Sequence, residues 1–261
     1  MCNGKLVQSF KVDLMTVEIY ESNVALGRAA AEYAERKVQE AIAERGQANL
    51  VLATGASQFT FIDAFKEKSS VDWSKIRVFH LDEYKNMSDQ HPASFRKFLR
   101  ERILDEIEPA EVNYLAGDAK DIEAEIIRYE NLLKTHPIDL ACIGIGENGH
   151  IAFNDPAVAD FNDARLVKEV ELDEACRRQQ LGEGWFPTFE DVPQVALSLT
   201  IPAIMNSKAI SCVVPDKRKA AAVYDALYGP ISTACPASIL RKHSDVTLFL
   251  DPFSAEKLEE R

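Results

Sequence analysis

Continuous apolar, β-branched runs recur along the 261-residue chain with helix-patterned stretches between them, and this alternation constrains the fold more than any other feature. The runs are LMTVEIY from Leu14, NLVLAT from Asn49, IRVFHL from Ile76, DLACIGI from Asp139, AISCVV from Ala209 and VTLFL from Val246. A strand that is apolar at successive positions is buried on both faces, as in a parallel sheet whose crossover helices cover both sides. Between the first two runs, Ser22 and Asn23 are placed to cap a helix. Its Leu26, Ala30, Ala34, Val38 and Ile42 recur every four residues on one face, and Gly46 ends it. Further helical patterns cover 57–68, 94–107, 121–134 and 217–228. The expected fold is a single α/β domain over 1–261, an open, mostly parallel Rossmann-like sheet with helices on both faces. The stretch 155–193 reads as an inserted loop region carrying one helix.

Charge and cysteine usage narrow the function classes. With 30 basic and 42 acidic side chains the formal charge is −12, which argues against a nucleic-acid partner. The five cysteines (Cys2, Cys142, Cys176, Cys212, Cys235) are scattered with no C-x-x-C pair, a usage that fits a reducing cytoplasm. The start MCNGKLVQSFKVDL lacks a signal-peptide core, and nowhere do about 18 apolar residues follow one another as a membrane span needs. A soluble, cytoplasmic protein with no membrane partner is expected.

Ligands of open parallel sheets bind outside the carboxyl ends of the strands, so the residues that follow each run are the first candidates. Ala53-Thr54-Gly55-Ala56-Ser57 turns from a strand into a helix, and its free N–H groups with the two hydroxyls make an anion cradle suited to phosphate. The alternative is an ordinary turn with Ser57 as the helix N-cap. In Phe79-His80-Leu81-Asp82-Glu83-Tyr84 two carboxylates terminate a buried strand. Neighbours on an extended chain point to opposite faces, so one of Asp82 and Glu83 faces the ligand as a desolvated general base while the other caps or pairs. A helix cap or a plain surface charge is the competing account of this pair. In Gly144-Ile145-Gly146-Glu147-Asn148-Gly149-His150, followed by Asn154-Asp155-Pro156, the glycines permit close backbone approach and His150 titrates near neutral pH. Asp155 or Asn148 could orient its ring. The five histidines show no ligand-type spacing, so no metal site is expected. Lys217, Arg218 and Lys219 open a helix, where cations oppose the dipole unless an anion is near. That favours a phosphate clamp, above all at Lys219, with a solvated basic patch as the alternative for the other two.

GIGENGHIAFNDP, FHLDEY and the HPASF segment at 91–95 together resemble the glucosamine-6-phosphate deaminase (isomerase) family, in matching order from Thr54 to about Asp251. The resemblance implies an aldose–ketose isomerisation and deamination of an amino sugar 6-phosphate, giving fructose 6-phosphate and ammonia with no cofactor. It implies Asp82 as the base that moves the proton between C1 and C2, His150 as the group assisting ring opening, and Asn148 and Asp155 beside it. It assigns Thr54, Gly55, Ala56, Ser57, Gly149 and Lys219 to substrate binding.

The chain also departs from the family pattern. Asp155 stands where the family usually has Glu, one methylene longer, so a relay to His150 rebuilt through water is expected. The segment 176–186 differs as well, leaving Arg177 or Arg178 to replace the arginine that often holds the phosphate. Val158 and Ala159 replace the serine pair of an allosteric site, although Arg165 remains at a matching position. The resemblance leaves galactosamine 6-phosphate and a homo-oligomer open. Rival readings are a 6-phosphogluconolactonase-like hydrolase and a non-catalytic sugar-phosphate sensor; the FHLDEY and AFNDP segments, with Asp82 and His150 both present, favour the deaminase.

Overall fold

The computed structural model describes residues 4–258. β1 (Leu6–Val12) and β2 (Met15–Tyr20) form a hairpin, after which α1 (Asn23–Arg45) leads to β3 (Ala48–Leu52) and α2 (Phe59–Lys66) to β4 (Ile76–His80). β5 (Asp82–Tyr84), α3 (Phe95–Leu99), β6 (Glu111–Val112), α4 (Ile122–Thr135) and β7 (Leu140–Ile143) follow. The remainder is β8 (Val167–Glu171), α5 (Glu174–Gly182), β9 (Val195–Leu199), α6 (Ile201–Met205), β10 (Ala209–Val214), α7 (Ala220–Tyr228) and β11 (Val246–Leu250).

Among the described residues, eight strands form one sheet in the order β1-β2-β11-β10-β7-β3-β4-β6. Every pairing is parallel except the β1–β2 hairpin. The six apolar runs of the sequence are six of the parallel strands; β3, β7, β10 and β11 are buried throughout, with the expected cause, while β2 alternates buried with half-buried positions. In β3, Leu50 and Leu52 pack with α1 and α2 in one core, while Val51 and the following Ala53 face a second core containing residues of α4, α6 and α7. Ser22 caps α1 by accepting from the Ala25 N–H, and Gly46 closes it at φ 79°.

Several boundaries differ from the sequence reading. β1 precedes the first expected strand, with its apolar Leu6 and Val7 exposed. The pattern at 57–68 splits into a 3₁₀ turn at Ala56–Gln58 and then α2, and Ser57 makes no side-chain cap. Likewise α3 passes into a π-helical turn at Arg100–Leu104, and Lys217–Lys219 form a 3₁₀ turn ahead of α7. The stretch 155–193 is more ordered than a loop with one helix, for it holds β8 as well as α5. β8 and β5 flank β9 in a separate antiparallel three-stranded sheet. Tyr84, Phe153, Cys176 and Phe186 form a small third core beside that sheet. No described helix is long and apolar enough to cross a membrane. Cys142, Cys176, Cys212 and Cys235 are free and buried; Cys2 lies outside the described residues.

Candidate active site

From β3 the chain builds outward through β4 and β6, then returns to add β7, β10 and β11 on the other side. The reversal falls between β3 and β7, and such a switch opens a crevice at the carboxyl ends of the two strands. A cavity of about 180 Å³ sits there. It is lined by the loops that leave β3 (Thr54 to Ser57), β4 (Leu81, Asp82), β7 (Gly144 to Gly146, His150) and β10 (Asp216, Arg218, Lys219), so four strand ends converge on one space.

Asp82 belongs to that wall and is nearly inaccessible. Burial, and then the neighbouring Glu83, push its carboxyl well above the ordinary carboxylate range, the direction a general base needs to work near neutrality. Its backbone is fixed from behind by His80. Nε2 of that ring accepts the Leu115 N–H at 2.9 Å, so the proton resides on Nδ1 and is donated to the Asp82 carbonyl at 2.9 Å. Burial keeps His80 neutral, with its pKa pushed down to about 4. Glu83 turns the opposite way, as extended geometry requires. It accepts from Ser94 Oγ at 2.8 Å, from the Phe95 and Arg96 N–H groups and from Arg96 Nε, and so anchors α3.

His150 lines the cavity too, and its Nδ1 faces two acceptors, Asn148 Oδ1 at 2.8 Å and Asp155 Oδ1 at 2.9 Å. Both demand a proton on Nδ1, which leaves Nε2 as the basic nitrogen of the neutral ring. Asn148 Nδ2 donates to the same Asp155 oxygen at 2.7 Å, closing a three-residue network. Burial opposes ionisation of Asp155, yet the bonds from His150 and Asn148 prevail and hold its carboxyl below the usual range. The shorter side chain therefore reaches His150 directly, and the relay through water expected from the sequence is not what the geometry shows. The His150 ring also explains Gly146, where a Cβ would stand 2.2 Å from ring carbon Cε1.

In the same wall, Gly55 at φ 97° starts the 3₁₀ turn that brings Ala56 and Ser57 to the cavity, and the buried Lys219 lines it too. Burial lowers the Lys219 pKa, against the pull of Glu147 and Glu183. Asp216 takes φ 88°, a conformation rare for a residue with a side chain, and Asp251 holds it by accepting its N–H. That bend delivers both Arg218 and Lys219 to the wall; Arg218 is paired with Asp216 at 3.0 Å, and Lys217 points away to Glu256.

Thr54, Gly55, Ala56, Ser57, Asp82, His150 and Lys219 are thus brought together, with Asn148 and Asp155 directly behind His150. Gly149 is not in the cavity wall: at φ 84° its missing side chain leaves room for Cys235 Sγ, 2.7 Å from where a Cβ would be. Neither arginine expected at the phosphate is there. Arg177 donates to the carbonyls of Phe189 and Val192 and lies over the Phe189 ring, while Arg178 pairs with Glu174. α5 instead presents Gln179 and Gln180, and its C-cap Glu183 joins them, which no local motif marked. Gln180 Oε1 accepts the Tyr84 hydroxyl at 2.8 Å. Arg165 is engaged by Glu130 and Glu123. Folding also gathers a set the spacing had hidden: a ring nitrogen of His150, a carboxylate oxygen of Asp155 and Cys176 Sγ lie within 4.8 Å of one another.

Fold and site together define an α/β protein with a small polar cavity at a sheet switch point, walled by a desolvated carboxyl, an oriented histidine and a buried cation. The chain belongs to the glucosamine-6-phosphate isomerase/6-phosphogluconolactonase family, whose model matches residues 21–249. It is 36% identical over 238 residues to a glucosamine-6-phosphate deaminase of Bacillus cytotoxicus, spanning 91% of this chain and 87% of that protein. It is 37% identical over 222 residues to that of Bacillus thuringiensis, spanning 85% and 82%. The structure of a monomeric glucosamine-6-phosphate deaminase superposes with a TM-score of 0.84 at 32% identity, covering 92% of this chain and 98% of that one. A 6-phosphogluconolactonase from Shewanella baltica shares the fold, with a TM-score of 0.75 at 20% identity over 95% and 99% of the chains.

Proposed function

We propose that this protein is a glucosamine-6-phosphate deaminase, converting the amino sugar phosphate and water into fructose 6-phosphate and ammonia. The observation that carries the reading is the pairing of two differently tuned groups in one cavity: Asp82, whose burial makes it a stronger base, and His150, whose Nδ1 is committed to Asp155 and Asn148. Relatives bearing the deaminase name at 36–37% identity support the substrate class.

The chemistry follows from these roles. The phosphate lies against the 54–57 turn and Lys219, which sets the sugar's C1 and C2 toward the opposite wall. Nε2 of His150 takes the C1 hydroxyl proton and passes it to the ring oxygen as the ring opens to the aldehyde. Asp82 then removes the C2 proton while the substrate's ammonium group gives a proton to O1, forming an enolamine with a C1 hydroxyl, and Asp82 returns its proton to C1, leaving a C2 iminium. Water adds at C2, the amine leaves as ammonia, and the C2 ketone of fructose 6-phosphate remains. General acid–base transfer of this kind contributes about 10²- to 10⁴-fold in rate.

The test is to mix purified protein with glucosamine 6-phosphate and follow ammonia and fructose 6-phosphate together. Equal yields of the two are expected. Neither product, or hydrolysis of 6-phosphogluconolactone in their place, would overturn the reading.

A further inference from the structure

The group formed by His150, Asp155 and Cys176 contains more than a proton relay needs. Asp155 is fully buried; its Oδ1 serves His150 and Asn148, and its Oδ2 has no hydrogen-bond partner. Cys176, equally buried, projects from the first turn of α5 into the same spot, its N–H held by the N-cap Asp173 at 2.7 Å. One nitrogen, one oxygen and one sulfur ligand atom thus lie within 4.8 Å of one another. Zinc bonded to N, O and S at about 2.0–2.3 Å places its ligands roughly 3–4 Å apart.

We propose that these three side chains form a binding site for one thiophilic divalent cation, zinc above all, and that its occupancy switches the enzyme off. A mixed N, O and S set favours zinc over magnesium or calcium, which take oxygen ligands. Charge balance favours it as well. A cysteine that binds a metal gives up its proton to solvent. Zn²⁺ with one carboxylate, one thiolate and a neutral imidazole is then a neutral assembly, whereas two buried anions alone would not be. The metal takes the place of the Nδ1 proton, so the His150 Nδ1–H that orients the ring toward Asp155 and Asn148 is lost. Asp82, the 54–57 turn and Lys219 are not ligands, and sugar phosphate still enters.

The inhibitory half of the proposal rests on the deaminase reading; the binding half does not, and the experiment separates them. Cobalt(II) is titrated into the intact, reduced protein, because thiolate ligation gives a charge-transfer band in the near ultraviolet. One equivalent with that band is expected, displaced by zinc. Cys176→Ser should lose the band and weaken binding at least about tenfold, since outer partners alone are worth 10- to 100-fold in metal affinity. Its unchanged melting temperature would show that it folds. Binding without the band, or a band retained in Cys176→Ser, would overturn the assignment. Zinc should lower the ammonia-release kcat with KM unchanged in the wild type and spare Cys176→Ser; equal inhibition of both would overturn the switch. Should the wild type release no ammonia at all, the deaminase reading fails while the cobalt titration still decides the site.

Discussion

Asp155 Oδ1 lies 2.9 Å from Nδ1 of His150, and Asn148 joins both by accepting from one and donating to the other. The network fixes the tautomer as well as the angle of the ring, because a nitrogen facing two acceptors must carry the proton. Asp155→Asn offers an amide that can donate as readily as accept, and the wrong tautomer becomes accessible. We expect kcat to fall by about 10²-fold or more with KM within a few-fold, as general acid–base catalysis would be lost. Steady-state kinetics checks this; a kcat near wild type would remove Asp155 from the relay.

Asp82 couples activity to stability with opposite signs. Its folded pKa is raised by burial and by Glu83, so the unfolded chain gives up the proton first as pH rises from the ordinary aspartate range of about 4. Above that pH the folded state binds more protons at this site than the unfolded one, and stability falls with rising pH until the folded pKa is passed. Asp82→Asn removes the penalty. Its melting temperature should exceed that of the wild type at neutral pH, the excess shrinking toward pH 4. Thermal melts across this range would contradict the assignment by showing a lower melting temperature for the variant at neutral pH.

Arg96 is buried against fully buried Glu83, with Nε 3.2 Å from the carboxylate, and its other nitrogens reach Asp118 and the Met87 carbonyl. Truncating one member of such a pair strands the other. Arg96→Ala is predicted to cost about 3–5 kcal/mol. Urea unfolding measures it, and a loss below about 1 kcal/mol would show that the pair does not hold α3 in place.

In the proposed binding mode Lys219, in the cavity wall, meets the phosphate, away from the bonds that change. Lys219→Ala should raise KM for a phosphorylated sugar by about tenfold or more with kcat little altered, the pattern of uniform binding. Because burial lowers its pKa, KM of the wild type should begin to climb at a more acidic pH than an exposed lysine would impose. An unchanged KM in the variant would dissolve the clamp.

The parallel sheet was legible because burial on both faces writes itself into continuous apolar runs such as AISCVV, and the helix 23–45 because its cap, stripe and terminal Gly agree. The small sheet was not. β5 is three residues of DEY, and β8, VKEVE, has three charged residues in five, so neither resembles the buried strands beside it. Asp82 and His150 could be picked out because Asp82 stands two residues past β4 and His150 sits in the glycine-rich loop that leaves β7. Gln179, Gln180 and Cys176 could not, since α5 reaches the cavity from an insertion with no local motif. Ser57 failed as a cap because Gly55 bends the chain into a 3₁₀ turn first, and Arg177 failed as a phosphate ligand because two carbonyls and an aromatic ring already hold it.

The central claim is that Asp82 moves the proton that makes ammonia leave C2. Ammonia release from glucosamine 6-phosphate by Asp82→Asn, set beside wild type at equal folded concentration, tests it most directly. The account predicts a wild-type rate that the variant loses by at least about 10²-fold, with KM retained, as removal of a general base requires. Turnover by the variant at the wild-type rate would contradict it.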